Sequence, residues 1–177
     1  STVREGTDMV FTSTSCGLML RHEYGRTLNL PGAEALAHRL FDICDFLLRE
    51  HEEKKPAVTF RPLPMKAAYF TPCHLRSLNI GLPALDLLRM VPELDVRLLD
   101  ADCCGLGGLY GFKTEKFAIA EEIGKDLTAA VARMKPELIL TDCEGCRMQI
   151  RHLTGLKVLH PIQLLRDALP HPSPEGS

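Results

Sequence analysis

The chain has 177 residues, of which 45% are hydrophobic and 25% charged, and its formal net charge is −2. These values are ordinary for one substantial globular domain or two small ones. The near-neutral charge and the absence of a basic stripe argue against a nucleic-acid partner, and no apolar run is long enough to span a membrane. Seven cysteines without a recognisable secretory signal indicate metal or redox chemistry in a reducing compartment.

The first 55 residues predict one strand and one long helix. Residues 8–12 form a short apolar strand, and Ser13–Cys16 is predicted to be a polar turn. A helix is predicted from Pro31, which suits a first helical turn, and the charged run 49–55 ends it. The helical stripe consists of Leu36, Leu40, Ile43 and Leu47. The three prolines of residues 56–64 then indicate a linker.

From residue 66 onward, strands and helices alternate. We predict strands at the start of this unit up to the turn at Pro72–Cys73, at 94–100, at 137–141 and at 157–160. We predict helices at 83–92, 114–134 and 161–169, and a disordered tail at 171–177. One face of the long helix carries Ile119, Ile123, Leu127 and Val131.

This alternation predicts an α/β fold with a mostly parallel sheet and flanking helices. In such sheets, functional residues gather at the carboxyl ends of the strands. Four cysteines directly follow predicted strand ends: Cys73, Cys103, Cys104 and Cys143. We therefore expect them to meet at one edge of the sheet.

The chain also contains an internal repeat. Val10–Pro31 aligns with Leu140–Pro161 without a gap and with five identities in 22 positions, although Ser13 stands where the second copy has Cys143. The repeat predicts a tandem architecture whose first copy is truncated. On this interpretation residues 1–55 are a remnant of the first copy with its helix, 56–65 a linker and 66–170 a complete second domain. We expect the chain to be the C-terminal fragment of a longer protein.

Five cysteines of the second copy form the strongest motif: Cys73, the pair Cys103–Cys104 and the C-x-x-C of Cys143 and Cys146. A single zinc needs only four ligands, and neighbouring residues rarely present both sulfurs to one small ion. A redox dithiol needs only two thiols. An iron–sulfur cluster has several irons and suits adjacent cysteines best.

The residues around these thiols fit the same interpretation. Gly105 would free the backbone so that both neighbouring thiolates turn the same way, and the glycines at 105, 107, 108 and 111 would let the backbone approach a bulky cluster. Cys73 and Cys146 are predicted near helix starts, whose partial positive charge stabilises thiolates. The basic residues His74, Arg76 and Arg147 would offset the negative charge.

The pattern C…CCG…C-x-x-C resembles the cysteine-rich CCG domain of heterodisulfide reductases, glycolate oxidase iron–sulfur subunits and related proteins. The stretches "TPCH", "DADCCGLGGLYGFK", "TDCEGCRMQI" and "HPIQLL" are most similar to the C-terminal part of the third subunit of anaerobic glycerol-3-phosphate dehydrogenases. The resemblance covers residues 11–169. The 29-residue interval from Cys73 to Cys103 is slightly short for the family, which affects the expected loop more than the expected ligands.

The resemblance implies a cofactor and a function. The five cysteines would bind an iron–sulfur cluster, as a cubane or non-cubane [4Fe-4S] centre, with zinc as the alternative metal. The chain would relay electrons from flavoprotein dehydrogenase subunits toward the membrane quinone pool, at the inner face of the cell membrane on its cytoplasmic side. The alternatives are a catalytic subunit that reduces a disulfide or quinone at the cluster, and a zinc-stabilised interaction domain. No residue is assigned as catalytic.

The remaining polar residues have plainer interpretations. Cys44 is predicted to be a buried core thiol, and His74 to support the cluster from a helix start rather than ligate it. Cys16 is either a remnant of a first site or a neighbour of the second. We interpret Asp142 and Glu144 as caps or solvated side chains. His22 and His152, which recur in the repeat, both precede a loop and are predicted to hold the turn there. The "GLGG" stretch lacks the lysine and the spacing of a nucleotide loop.

Overall fold

The computed structural model describes residues 7–54 and 58–170, which form two parallel sheets flanked by helices. The strands are β1 Met9–Phe11, β2 Leu40–Asp42, β3 Met65–Tyr69, β4 Leu94–Leu98, β5 Leu138–Leu140 and β6 Val158–Leu159. The larger sheet has the order β4-β3-β5-β6, and β1 pairs with β2 in the smaller one. The α/β fold with parallel sheets is therefore confirmed.

Ten α-helices lie in the described part of the chain. They are α1 Thr14–Leu18, α2 Tyr24–Arg26, α3 Ala33–Ala37, α4 Ile43–Lys54, α5 Cys73–Leu78, α6 Pro83–Arg89, α7 Thr114–Ile123, α8 Lys125–Met134, α9 Glu144–Thr154 and α10 Pro161–Ala168. A π-helical segment, Met19–Glu23, joins α1 to α2, and a 3-10 turn, Tyr110–Phe112, precedes α7. No helix of residues 7–54 or 58–170 has the length and apolarity needed to cross a membrane.

The central strand β3 divides the core into two layers. Successive side chains of a strand point to opposite faces, so Ala67 and Tyr69 pack with α4, α6 and α10. Ala68 and Phe70 pack on the other face with α8 and α9. Cys104, Cys143 and Cys146 belong to this second layer, so one side of the cysteine site is continuous with the hydrophobic core.

The single helix predicted from Pro31 is wrong. The segment forms α3, then strand β2, then α4, although its apolar residues have helical spacing. Leu40 and Asp42 pair in parallel with Met9 and Phe11 of β1. This pairing outweighs the local helical pattern because it places the side chain of Leu40 in the core, where it is 3% exposed.

Two other local predictions are corrected. The segment Ser13–Cys16 is not a turn, because α1 begins at Thr14 and the Ser13 side chain caps it. The long helix at 114–134 breaks at Gly124 into α7 and α8. A Cβ at Gly124 would lie 2.5 Å from Leu153 Cδ1, so α9 packs closely at the break. Ile119 and Ile123 of α7 are exposed, and only the α8 half of the predicted apolar face is buried.

The repeat is visible as a shared order of elements, β1-α1-β2-α4 in the first copy and β5-α9-β6-α10 in the second. Ser13 Oγ accepts a hydrogen bond from Cys16 N, and Cys143 Sγ accepts one from Cys146 N. The gapless alignment fails after α2, because Pro161 begins α10 whereas Pro31 precedes α3. The π-helical segment aligns with the second half of α9, whereas the residues from the end of α2 through α3 are additional and precede β2 of the first copy.

The predicted division at residues 55 and 65 stays a prediction. Helix α4 of the first segment packs in the same core layer as α6 and α10 of the second, so the two segments share one core. Residues 55–57 of the predicted linker and the predicted tail 171–177 lie outside the described residues.

Candidate functional site

All five cysteines of the motif line one cavity of about 540 Å³ at the carboxyl edge of the larger sheet. Cys73 begins α5 after β3, and Cys103 and Cys104 follow β4. Cys143 and Cys146 lie at the start of α9 after β5. The three strands are neighbours in the sheet, so their following loops converge as the sequence predicts.

The five thiols differ in exposure and contacts. Cys104, Cys143 and Cys146 are buried, Cys103 is half-buried and Cys73 is exposed. Cys104 Sγ lies 3.1 Å from Cys146 Sγ. Cys103 Sγ accepts a hydrogen bond from the Gly105 amide at 3.3 Å. The site therefore has a buried inner wall and an open outer side.

The sulfurs are not grouped evenly around one point, although Cys104 Sγ and Cys146 Sγ lie only 3.1 Å apart. In a tetrahedral zinc site with Zn–S bonds of about 2.3 Å, the sulfurs lie about 3.8 Å apart. Within residues 7–54 and 58–170, no three of these sulfurs lie within 4.8 Å of one another. The arrangement is better suited to a centre with several metal ions than to one zinc.

Hydrogen bonds between the thiols divide them into donors and acceptors. The thiol of Cys146 forms hydrogen bonds with the sulfurs of both Cys143 and Cys104. These hydrogen bonds lower the pKa of Cys143 to about 5 and that of Cys104 to about 7. The same contacts raise the pKa of Cys146. Burial raises the pKa of Cys73, and the charges of the neighbouring thiols add to this. The cavity thus favours the thiolate, the form that binds metals, at Cys143 and Cys104 but not at Cys146 and Cys73.

The loop that carries Cys103 and Cys104 is held by Arg76 of α5. The guanidinium donates to the backbone oxygens of Thr71 and Ala101 at 3.3 and 3.1 Å, and to Asp102 Oδ1 at 3.3 Å. Arg76 therefore ties the end of β3 to the residues just before the cysteine pair. Its role in the described structure is to position the loop, since it does not line the cavity.

The glycines of the loop occupy two different environments. Gly107 and Gly108 line the cavity, whereas Gly105 and Gly111 are not among its described lining residues. A Cβ on Gly105 would lie 2.0 Å from Ala120 O, and one on Gly111 would lie 2.9 Å from Ala120 Cβ. These two glycines let the loop pack directly on α7, because neither leaves room for a side chain.

Helix α1 of the first copy supplies one wall of the cavity, a feature that we did not predict. Ser15 and Leu18 of α1 line it, together with Met19 at the start of the π-helical segment. Ser15 Oγ lies 2.8 Å from Nδ1 of His74, the second residue of α5. Ser13 Oγ donates to Glu144 Oε1 of α9 at 2.8 Å. The only sequence signal for this contact was the repeat itself, which equates α1 with α9.

The mouth of the cavity is apolar and exposed. Leu109 is 80% exposed, Met148 60% and Phe112 49%, and all three line the cavity. Exposed large apolar side chains around a concave site are typical of surfaces that meet a partner or an apolar ligand.

Several predicted residues lie away from the cavity. Cys44 is fully buried in the core, as predicted. Cys16 is exposed and is not among the described residues that line the cavity. Of the two histidines of the repeat, His22 lies in the π-helical segment, and His152, near the end of α9, contacts Glu121 Oε1 at 2.9 Å.

Asp142 is neither a cap nor solvated. It is 1% exposed, and its Oδ2 accepts a hydrogen bond from Tyr69 OH at 2.6 Å. Burial raises its pKa to about 7 and that of Asp42 to about 6. Cys143, not Asp142, caps α9. Glu144 is exposed, which agrees with the prediction of a solvated side chain.

Cysteines from three adjacent strand ends around one cavity define a cysteine-rich α/β domain. Residues 67–151 match the family described as "Cysteine-rich domain" (CCG). The match includes all five cysteines of the cavity.

Among proteins of known name, the chain is 38% identical over 165 residues to the C subunit of the anaerobic glycerol-3-phosphate dehydrogenase of Escherichia coli K12, covering 93% of the chain and 41% of that relative. It is 29% identical over 171 residues to the B subunit of the fumarate reductase (CoM/CoB) of Methanothermobacter marburgensis, covering 91% of the chain and 32% of the relative. An uncharacterized iron–sulfur protein of Methanocaldococcus jannaschii is 28% identical over 81% of the chain and 26% of its own length. The chain thus spans well under half of these relatives.

Proposed function

We propose that this chain is an iron–sulfur electron-transfer segment of a complex of the anaerobic glycerol-3-phosphate dehydrogenase type. The observation that carries the proposal is the cavity lined by five cysteine thiols, one more than a single zinc ion binds. The names of the relatives agree with it, since they include a subunit of that dehydrogenase and an iron–sulfur protein.

The five thiols would hold the cluster, which we propose to be a [4Fe-4S] centre in cubane or non-cubane form. Such a centre, when bound, supplies one-electron transfer. Thiolates at Cys143 and Cys104 favour assembly, because cysteines ligate iron in the deprotonated form. Buried Leu106 shields the inner side of the cavity from water. His74, which follows Cys73, and Gly105, which follows Cys104, would support the site next to the ligands. Gly105 does so by donating its amide hydrogen to Cys103 Sγ.

The proposed partners follow from the resemblance of the cysteine motifs to those of the dehydrogenase subunits and from the apolar mouth of the cavity. Flavoprotein dehydrogenase subunits would deliver electrons, and the quinone pool at the inner, cytoplasmic face of the membrane would accept them. Leu109, Phe112 and Met148 offer an apolar surface for docking next to the thiols. A partner seated there would bring its own redox group close to the cluster.

Metal analysis of anaerobically purified protein tests the proposal. We expect about four iron atoms and about four acid-labile sulfides per chain, with an electron paramagnetic resonance signal in one redox state. Zinc bound by an all-sulfur shell in place of iron and sulfide, even after anaerobic reconstitution, would instead indicate a zinc-stabilised interaction domain.

A second function has support from the same cavity. Its outer side is open and apolar, so a small substrate could reach the thiols directly, as in a protein that reduces a disulfide or a quinone at the cluster. Stopped-flow mixing of the reduced, cluster-loaded protein with a soluble quinone or an organic disulfide separates the two functions. Rapid oxidation that saturates with substrate concentration supports catalysis at this site, whereas slow unsaturable oxidation supports a relay.

A further inference from the structure

A second group of metal-binding side chains lies in the core, apart from the five-thiol cavity. Asp42 ends β2, Cys44 lies in the first turn of α4, and Asp142 follows β5. One carboxylate oxygen of each aspartate and the Cys44 sulfur all lie within 4.8 Å of one another. All three side chains are buried: Asp42 and Cys44 are 0% exposed and Asp142 is 1% exposed.

Each carboxylate has one oxygen fixed by donors and the other without a partner. Asp42 Oδ1 accepts from the amides of Cys44 and Asp45 at 2.8 and 3.3 Å, whereas its Oδ2 has no hydrogen bond in the described structure. Asp142 Oδ2 accepts from Tyr69 OH at 2.6 Å, whereas its Oδ1 has none. Ligating carboxylates are typically held in this way, with one oxygen oriented by neighbours and one on the metal.

The donors that hold these carboxylates are two backbone amides and one phenol, and none of them carries a positive charge. Two buried carboxylates without a compensating cation are costly. A divalent cation would satisfy both free oxygens and would also bind the thiolate. Two oxygens and one sulfur form a donor set that suits zinc, which accepts both ligand types, better than magnesium or calcium, which bind oxygen.

We propose that Asp42, Cys44 and Asp142 bind a structural zinc ion between the two copies of the repeat. Asp42 and Cys44 come from the first copy and Asp142 from the second, so the ion joins them. Because the three side chains are fully buried, the ion enters during folding rather than through an open channel. The proposal goes beyond the iron–sulfur site and does not depend on it.

The test measures zinc and iron together on the full chain, purified anaerobically with its cysteine cavity loaded. We expect one zinc per chain, with a zinc X-ray absorption spectrum that shows one sulfur among oxygen ligands. Asp42→Asn and Cys44→Ser should lose this zinc and keep their iron, whereas the exposed control Cys16→Ser should keep both. If the cavity holds no cluster, the one-sulfur zinc spectrum still identifies the core site, so the two proposals can fail separately.

Tyr69→Phe provides a variant that leaves all three ligands in place. Loss of an outer hydrogen bond to a metal ligand typically weakens metal binding about 10- to 100-fold, and we expect that change in a competition titration with a chelator. A purely structural Tyr69 would lower stability without changing zinc affinity. Wild-type protein that takes up no zinc on refolding, or zinc with an all-sulfur shell, would overturn the proposal and leave the two carboxylates to share a proton.

Discussion

Gly105 is the residue on which the geometry of the cysteine pair depends most directly. Its φ of +91° lies in a region that residues with a Cβ rarely adopt, and a Cβ there would lie 2.0 Å from Ala120 O. We expect Gly105→Ala to lower the free energy of unfolding by roughly 3 kcal/mol, because the loop must move away from α7. Urea denaturation measures this change.

Gly108 is the matched control for that variant. It also has a positive φ, of +64°, but no atom lies within 4 Å of the position of its Cβ. Gly108→Ala should therefore cost only the backbone strain, about 1 kcal/mol. Equal losses in the two variants would mean that contact with α7 does not govern the loop.

The cysteine ligands give the second prediction for single residues. Cys103→Ser and Cys104→Ser should each abolish stable cluster assembly, because each removes a thiolate from the cavity wall. Cys16→Ser should assemble a normal cluster, since Cys16 is exposed and outside the cavity. Iron and sulfide contents, with the visible absorption of the cluster, measure the outcome. Loss of the cluster from Cys16→Ser as well would show that the first copy also supplies a ligand.

Among the secondary-structure elements, α10 is capped by His160, whose protonation makes the stability of the protein depend on pH. Its Nδ1 accepts a hydrogen bond from Ile162 N at 3.1 Å, and its side chain belongs to a capping box. Burial lowers its pKa from 6.5 to about 4; the charge of Arg147 also lowers it, while that of Glu144 opposes the change. The folded protein therefore holds His160 neutral where the unfolded chain is protonated.

The sign of the pH effect follows from this difference. Between pH 6.5 and 4 the unfolded state binds more protons at this residue, so stability falls as the pH falls. The loss should approach about 1.4 kcal/mol per pH unit and total roughly 3 kcal/mol. His160→Asn keeps a capping oxygen but cannot titrate, and its stability should vary less with pH over this window. Identical pH profiles of the two proteins in urea denaturation would contradict the assignment.

The same elements show why the sequence predicts the site better than its surroundings. Cys73, Cys104 and Cys143 converge because they follow adjacent parallel strands, and that rule needs no knowledge of side-chain packing. The strand β2 could not be predicted from its own residues, since it exists through pairing with the distant strand β1. The burial of Asp142 likewise depends on Tyr69, which lies 73 residues away in the chain.

In the whole molecule, the two copies of the repeat share one core but contribute differently to the cysteine site. The second copy contributes the five thiols, and the first contributes helix α1 as a cavity wall and α4 as part of the core. Ser13 replaces the cysteine of the first C-x-x-C and still caps its helix, while bonding to Glu144 across the boundary. The first copy thus supports the site of the second.

This asymmetry predicts how the seven thiols respond to alkylation. In the metal-free protein at alkaline pH, exposed Cys16 and Cys73 should react rapidly with iodoacetamide, although the raised pKa of Cys73 slows its reaction near neutral pH. Buried Cys44 should react only on unfolding. Loading the cluster should protect Cys73 and Cys103, which line the cavity, and leave the reactivity of Cys16 unchanged. Mass spectrometry of peptides from loaded and metal-free protein follows each thiol separately. Protection of Cys16 would place it next to the metal, and continued rapid labelling of Cys73 would remove it from the ligand set.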